Sequence, residues 1–78
     1  MNVNALKGKR VAQGLKQEDV YKELGVAPKT FSEYENSVIC RFSVSQIIAL
    51  AELYRLSLHD VNEIFFDNAL PNGNSAAS

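Results

Sequence analysis

The stretch "QEDVYKELGVAPKTFSEYE", residues 17–35, decides the fold because it holds two short amphipathic segments separated by one glycine. In each segment the apolar residues recur about one helical turn apart, which is typical of a helix with one buried side. Gly25 lies between them, and glycine readily adopts the left-handed conformation that ends many helices. Pro28 suits the first position of the second helix because its φ is already helical. The spacing predicts helices over 17–24 and 28–35, joined by a sharp turn.

Three further segments have helical patterns. One helix is predicted over about 4–13, ended by a glycine. Ser43 and Gln46 have the spacing of a capping box and predict a helix that extends to about residue 54. A last helix is predicted over 58–65, while no stretch alternates apolar and polar residues long enough to predict a strand. The residues therefore predict a compact all-α bundle of five short helices, held together by packing.

Composition narrows the possible functions. The 78 residues suffice for one small domain, expected over 1–70, with 71–78 as a disordered polar tail. No apolar run approaches the roughly 20 residues that span a bilayer, so we expect a cytoplasmic protein without a membrane partner. Neither a nucleophile–base set nor a phosphate-binding glycine loop is present, which argues against an enzyme or a cofactor. The sequence shows no separate ligand-binding domain, so no small-molecule ligand is expected. His59 and Cys40 cannot build a zinc site, and Cys40 is interpreted as an inert thiol, with a redox sensor as the alternative.

Charge is unevenly distributed along the chain. The net charge is −1, but residues 1–36 hold six Lys/Arg against five Asp/Glu, whereas residues 37–78 hold two against four. Lys7, Lys9 and Lys16 lie within ten positions of one another, together with an arginine. Because salt screens charges beyond about 8–10 Å, such a local patch matters more than the total. The patch is either a site for phosphates or a merely solvated helix face.

Three blocks of sequence resemble one known family. "LKGKRVAQGLKQEDV", "LGVAPKTFSEYEN" and "IIALAELYRLSLHDV" are similar, in order and spacing, to the Cro/repressor-type (Xre-like) helix-turn-helix domain of temperate phages and bacterial regulators. The resemblance covers Leu6 to about Phe65. It implies a lambda-repressor-like fold and a sequence-specific, DNA-binding transcriptional regulator. The helix over 28–35 is then expected to enter the major groove of double-stranded operator DNA.

The resemblance also implies roles for individual residues. Gln17 matches a position that binds a phosphate and braces the reading helix, and Arg10 and Glu35 match a structural salt bridge between the first and third helices. The positions expected to address bases are Pro28, Lys29, Thr30, Ser32 and Glu33. The positions expected to contact the DNA backbone are Lys7, Lys9, Lys16, Gln17, Asn36 and Arg41.

The sequence departs from the family pattern at several of these places. Tyr21 stands where the family has Ala or Gly; we expect its ring to swing outward, although a wider crossing of the two helices is the alternative. After the third helix the family commonly has a glycine and a basic residue, whereas this sequence has Ser37 and Val38. Arg41 is then the nearest basic residue. Glu33 is an anion on the reading face. It either accepts a hydrogen bond from the amino group of cytosine or is simply solvated.

A single domain of this kind contacts one half-site, which rarely gives sufficient affinity. A homodimer on a palindromic operator would place two reading helices about 34 Å apart. Phe65, Phe66 and Leu70, in the block "NEIFFDNAL", are the predicted dimer interface, unless this tail folds back over its own core. The alternative function is a protein-interaction module of the same fold, of antirepressor or antitoxin type, with weak DNA binding.

Overall fold

The structure is a computed structural model, and it describes residues 1–70. Five helices follow one another: α1 Val3–Ala12, α2 Gln17–Leu24, α3 Pro28–Glu35, α4 Val44–Leu53 and α5 Leu58–Phe65. The predicted all-α, five-helix fold is confirmed, with α1 shifted by one residue from its predicted bounds. None of the described helices is long and apolar enough to cross a membrane. The predicted tail over 71–78 lies outside the described residues.

Side chains at the helix starts satisfy backbone groups that would otherwise lack partners. In α4 the Ser43 hydroxyl accepts from the N–H of Gln46 at 3.2 Å, and the Gln46 amide oxygen accepts from the N–H of Ser43 at 2.8 Å. Ser57 and Asp60 form the same reciprocal pair at the start of α5, at 3.0 and 3.1 Å. Each cap of this kind stabilises a helix by about 1 kcal/mol. The capping pattern in the sequence therefore fixed both helix starts.

The turn between α2 and α3 depends on Gly25. Its φ is 70°, in the left-handed region that glycine enters without the strain a Cβ introduces. Pro28 opens α3 at a position where its missing N–H removes no helical hydrogen bond. Among the described helices, α2 and α3 pack against each other most extensively. The turn thus presents α3 at a fixed angle to α2.

One core holds the helices together, and every helix contributes to it. Helices of eight or ten residues are too short to be stable alone, so their stability comes from this packing. The most deeply buried apolar side chains are Leu6, Val20, Phe31, Leu50, Tyr54 and Ile64.

Phe42 is a core residue that the sequence pattern did not reveal. It lies in the loop between α3 and α4, yet it is buried. Its ring centroid lies 5.5 Å from that of Tyr34, 6.1 Å from that of Phe31 and 6.4 Å from that of Phe65. These tilted and edge-on contacts are favourable geometries for aromatic pairs. Phe42 therefore connects α3 to α5.

Tyr21 differs from the expectation that it would point outward. Its side chain is half-buried and packs against the core. An aromatic ring gains free energy when its apolar surface leaves water, which favours this position over a fully exposed one. The helices α2 and α3 accommodate the ring while remaining in contact.

Candidate nucleic-acid interface

The two sides of α3 differ sharply in exposure. Phe31 and Glu35 are buried, whereas Pro28, Lys29 and Glu33 are exposed. Two further residues with predicted base-reading roles, Thr30 and Ser32, are half-buried at the margin. The outer face of α3 is therefore polar and makes few contacts with the rest of the domain.

Lys29 and Glu33 lie four positions apart, on the same side of the helix. Neither forms an ion pair with any residue in the described range 1–70. A cation and an anion are thus available side by side on the exposed face.

A buried carboxylate fixes the orientation of α3. Glu35 is 0% exposed, and its Oε2 accepts a hydrogen bond from Arg10 Nε of α1 at 2.9 Å. Its Oε1 accepts from Gln17 Nε2 of α2 at 2.8 Å. The Arg10 guanidinium also donates to the carbonyl of Leu15 at 2.9 Å. The ion pair implied by the family resemblance is present, and Gln17 extends it into a network across three helices.

Gln17 therefore has a defined position at the start of α2. One hydrogen of its amide nitrogen is directed at Glu35, and the nitrogen carries a second hydrogen. A brace on α3 and a contact with a phosphate are chemically compatible in one side chain.

Tyr54 lies against this network but makes no hydrogen bond with it. Its hydroxyl is buried and has no partner among residues 1–70. Burial raises the pKa of the Tyr54 hydroxyl well above its usual range, and the negative charge of Glu35 raises it further. The phenol remains neutral, and its unpaired hydroxyl costs free energy.

Lys7 and Asn36 meet at the C-terminal end of α3. The Lys7 ammonium donates to the Asn36 amide oxygen, and the Asn36 amide nitrogen donates to the carbonyl of Ser32 at 2.8 Å. Asn36 thus caps α3 and links it to α1. The ammonium has two hydrogens left, so it remains able to bind an anion beside the exposed face of α3.

The other predicted backbone-binding cations lie in different surroundings. Lys9 Nζ is 3.6 Å from Asp60 Oδ1 of α5, so α5 rather than α3 is its neighbour. The pKa of Asp60 is lowered, first by the backbone N–H of Ser57 and also by Lys9. Lys16 and Arg41 are exposed and form no ion pair within residues 1–70.

The three residues predicted at a dimer interface do not form one exposed surface. Phe65 is only 3% exposed and belongs to the core, so its side chain is not accessible to a partner. Phe66 is half-buried and packs against the core, whereas Leu70 is exposed. The Asn62 side chain binds both the carbonyl and the N–H of Leu70, at 2.8 and 3.0 Å. This segment folds back onto α5, as the alternative interpretation had it.

The helices α2 and α3 meet at a glycine turn, and α3 is held by hydrogen bonds on its buried side and exposed on its other side. This arrangement defines a helix-turn-helix domain, which is typical of DNA-binding regulators. Residues 4–64 match the protein family described as "Helix-turn-helix domain". The chain belongs to that family, which agrees with the Cro/repressor-type resemblance of its sequence. Comparisons with curated proteins and with solved structures give no match.

Proposed function

We propose that this protein is a sequence-specific transcriptional regulator of the Cro/repressor type, which binds operator DNA by inserting α3 into the major groove. The observation that carries the proposal is the pair Lys29 and Glu33, which is exposed and free of ion pairs within residues 1–70, on a helix whose opposite side is locked. An α-helix fits into the major groove. A carboxylate on its outer face serves no purpose in binding phosphates, so its presence favours contacts with bases.

The chemistry of this pair favours G·C base pairs. The Glu33 carboxylate can accept from the amino group of cytosine, and the Lys29 ammonium can donate to O6 and N7 of guanine. Four residues along a helix span roughly 6 Å, somewhat less than two base-pair steps of about 3.4 Å each. The two side chains would therefore address base pairs no more than two steps apart. Thr30 and Ser32 would contact the edges of the groove, and the ring of Pro28 a thymine methyl group or a sugar.

Phosphate contacts on either side of α3 would fix the register of the domain on DNA. Lys7 and Asn36 lie at one end of the helix, and Gln17 lies at the start of α2. Lys16 and Arg41 supply exposed cations. Lys9 would have to exchange Asp60 for a phosphate, which is feasible because the pair is partly open to solvent and ion pairs at a protein surface contribute at most about 1 kcal/mol. As a homodimer, the protein would repeat these contacts on a palindromic operator.

Selection of bound DNA from a random pool, at stated salt concentration, tests the proposal. We expect a palindromic enriched motif that contains G·C pairs in each half. The Glu33→Gln variant keeps the shape of the side chain but adds an amide donor, so the preference at one position should change by about 1–3 kcal/mol. An unchanged motif would remove Glu33 from base reading, and no enrichment by the wild type would refute sequence-specific binding.

A second candidate function is a protein-interaction module with weak affinity for DNA. Val38 and Ile39 are both exposed in the loop after α3, where the family resemblance leads one to expect a phosphate-binding cation. An apolar loop tip suits a protein partner better than a phosphate. Salt separates the two functions, because DNA affinity that depends on several phosphate contacts falls steeply as salt concentration rises.

A further inference from the structure

Glu33 carries a charge that the domain leaves without a partner. Its carboxylate is exposed on the outer face of α3, one turn after Lys29, and it forms no ion pair within residues 1–70. On α2 an acidic and a basic residue at the same spacing do pair, with Lys22 Nζ 2.7 Å from Glu18 Oε1. An acidic residue four positions before a basic one pairs better than the reverse order, and α3 has the reverse order. The sequence of α3 therefore keeps this carboxylate available to a ligand.

The hydrogen-bonding capacity of Glu33 is narrower than that of its neighbours on α3. The Lys29 ammonium has only donors, and the base edges in the major groove offer it several acceptors. The hydroxyls of Thr30 and Ser32 both donate and accept, so they can adapt to either kind of group. An ionised carboxylate has only acceptors. Glu33 therefore requires a donor on the base that it contacts.

Two kinds of donor face the major groove of duplex DNA, the amino group at N4 of cytosine and the amino group at N6 of adenine. Each amino group has one hydrogen in the base pair and one directed into the groove. A methyl group on the same nitrogen takes the place of the groove-directed hydrogen as long as the base pair is kept. The base then presents an apolar group where the carboxylate requires a donor.

We propose that the protein distinguishes operators by the modification state of one base: it binds where the base that contacts Glu33 has a free amino group and is excluded where that nitrogen is methylated. The inference rests on the proposed function and adds a mode of regulation to it. Regulation would lie in the DNA itself, through a modified base at one position of each half-site. Cytosine and adenine are both covered, because both lose the same hydrogen on methylation.

The loss of affinity should be large because α3 cannot easily move away from the methyl group. On the opposite side of the helix Glu35 is fully buried and accepts hydrogen bonds from Arg10 and Gln17 at 2.9 and 2.8 Å. A shift of α3 would break this network. The Glu33 carboxylate would instead lie against an apolar group, where a charge without a partner is costly. Loss of a hydrogen bond to a charged group lowers affinity by about 10- to 100-fold.

Binding to operators with single modified bases tests the proposal. The duplexes carry the motif selected by the wild type, with N4-methylcytosine or N6-methyladenine at one position of each half-site at a time. At one position the wild type should bind the modified duplex about 10- to 100-fold more weakly than the unmodified one, at the same salt concentration. If every modified duplex binds as tightly as the unmodified one, the proposal is wrong.

The Glu33→Ala variant shows whether the carboxylate causes this loss. It removes the acceptor, so at that position it should bind the modified and unmodified duplexes equally well. Lys29→Ala is the matched control, since it removes a donor from the same face and should bind more weakly overall while it keeps the discrimination. A loss of the same size in Glu33→Ala and in the wild type would overturn the proposal.

Where the position is a cytosine, 5-methylcytosine separates a missing hydrogen from a steric clash. It adds a methyl group to the groove but keeps the amino hydrogen, so affinity should fall much less than with N4-methylcytosine. Equal losses with the two modified bases would point to size alone and contradict the proposed hydrogen bond.

The unmodified duplex distinguishes a failure of this inference from a failure of the proposed function. A protein that binds the unmodified motif specifically, and binds the methylated duplexes equally well, is a regulator without this sensitivity. A protein that enriches no motif is not the proposed regulator, and the inference then fails with the function.

Discussion

The two faces of α3 carry the same side chain in opposite surroundings. Glu33 is exposed and has no ion-pair partner within residues 1–70. Glu35, two positions later, is fully buried and accepts hydrogen bonds from Arg10 and Gln17. Two residues along a helix correspond to a rotation of about 200°, which is enough to move a carboxylate from water into the core.

This difference separates a structural role from a proposed recognition role within one helix. A buried charge is stable only with partners of good geometry, and those partners hold the helix in place. An exposed charge contributes little to folding and is free to discriminate among ligands. The same substitution at the two positions should therefore have unrelated consequences.

The largest expected effect is the loss of the buried carboxylate. Glu35→Ala leaves the Arg10 guanidinium largely buried without its anion and should lower the free energy of unfolding by about 3–5 kcal/mol. Glu33→Ala, the matched control, should change it by at most about 0.5 kcal/mol. Urea unfolding measures both. Similar losses for the two variants would show that the inner and outer faces are not energetically distinct.

A smaller effect is expected from the second hydrogen-bond donor to Glu35. Gln17→Ala removes the hydrogen bond to Glu35 Oε1 and leaves this buried acceptor without a donor. The free energy of unfolding should fall by about 1–3 kcal/mol. Gln13→Ala is the control, because Gln13 is exposed at the end of α1 and makes no side-chain hydrogen bond within residues 1–70. If Gln17→Ala unfolds like the control, Arg10 alone braces Glu35.

The smallest effect is expected at Tyr54, which lies against the hydrogen-bond network of Glu35. Tyr54→Phe removes a buried hydroxyl without a partner, so stability should stay the same or rise by up to about 1 kcal/mol. Because burial raises the pKa of this hydroxyl, only the unfolded chain ionises it above about pH 10, and the wild type then loses stability as pH rises. The Phe variant should lose less stability over that range. A marked loss of stability at neutral pH would indicate that the hydroxyl has a partner after all.

Much of the fold could be predicted because local signals and tertiary packing agree. Gly25, Pro28 and the pair Ser43 and Gln46 each specify a helix end through their own backbone or side-chain chemistry. The bounds of α2, α3 and α5 therefore matched the structure closely. The outward side of α3 followed from the same periodicity.

What could not be predicted depends on contacts between residues distant in sequence. Nothing near Phe42 indicates that a loop residue would lie between α3 and α5. Lys9 falls within a basic cluster along the chain, yet Asp60 of α5 is its neighbour in space. The periodicity of α5 also does not predict how far Phe66 and Leu70 fold back. The Asn62 side chain holds this segment through two hydrogen bonds to the backbone of Leu70.

The position of Phe42 has a mechanical consequence. Its ring packs against Phe31 and Tyr34 of α3 and against Phe65 of α5, so one side chain holds these two helices in place relative to each other. Loss of the Phe42 ring would therefore loosen α3 and α5 together.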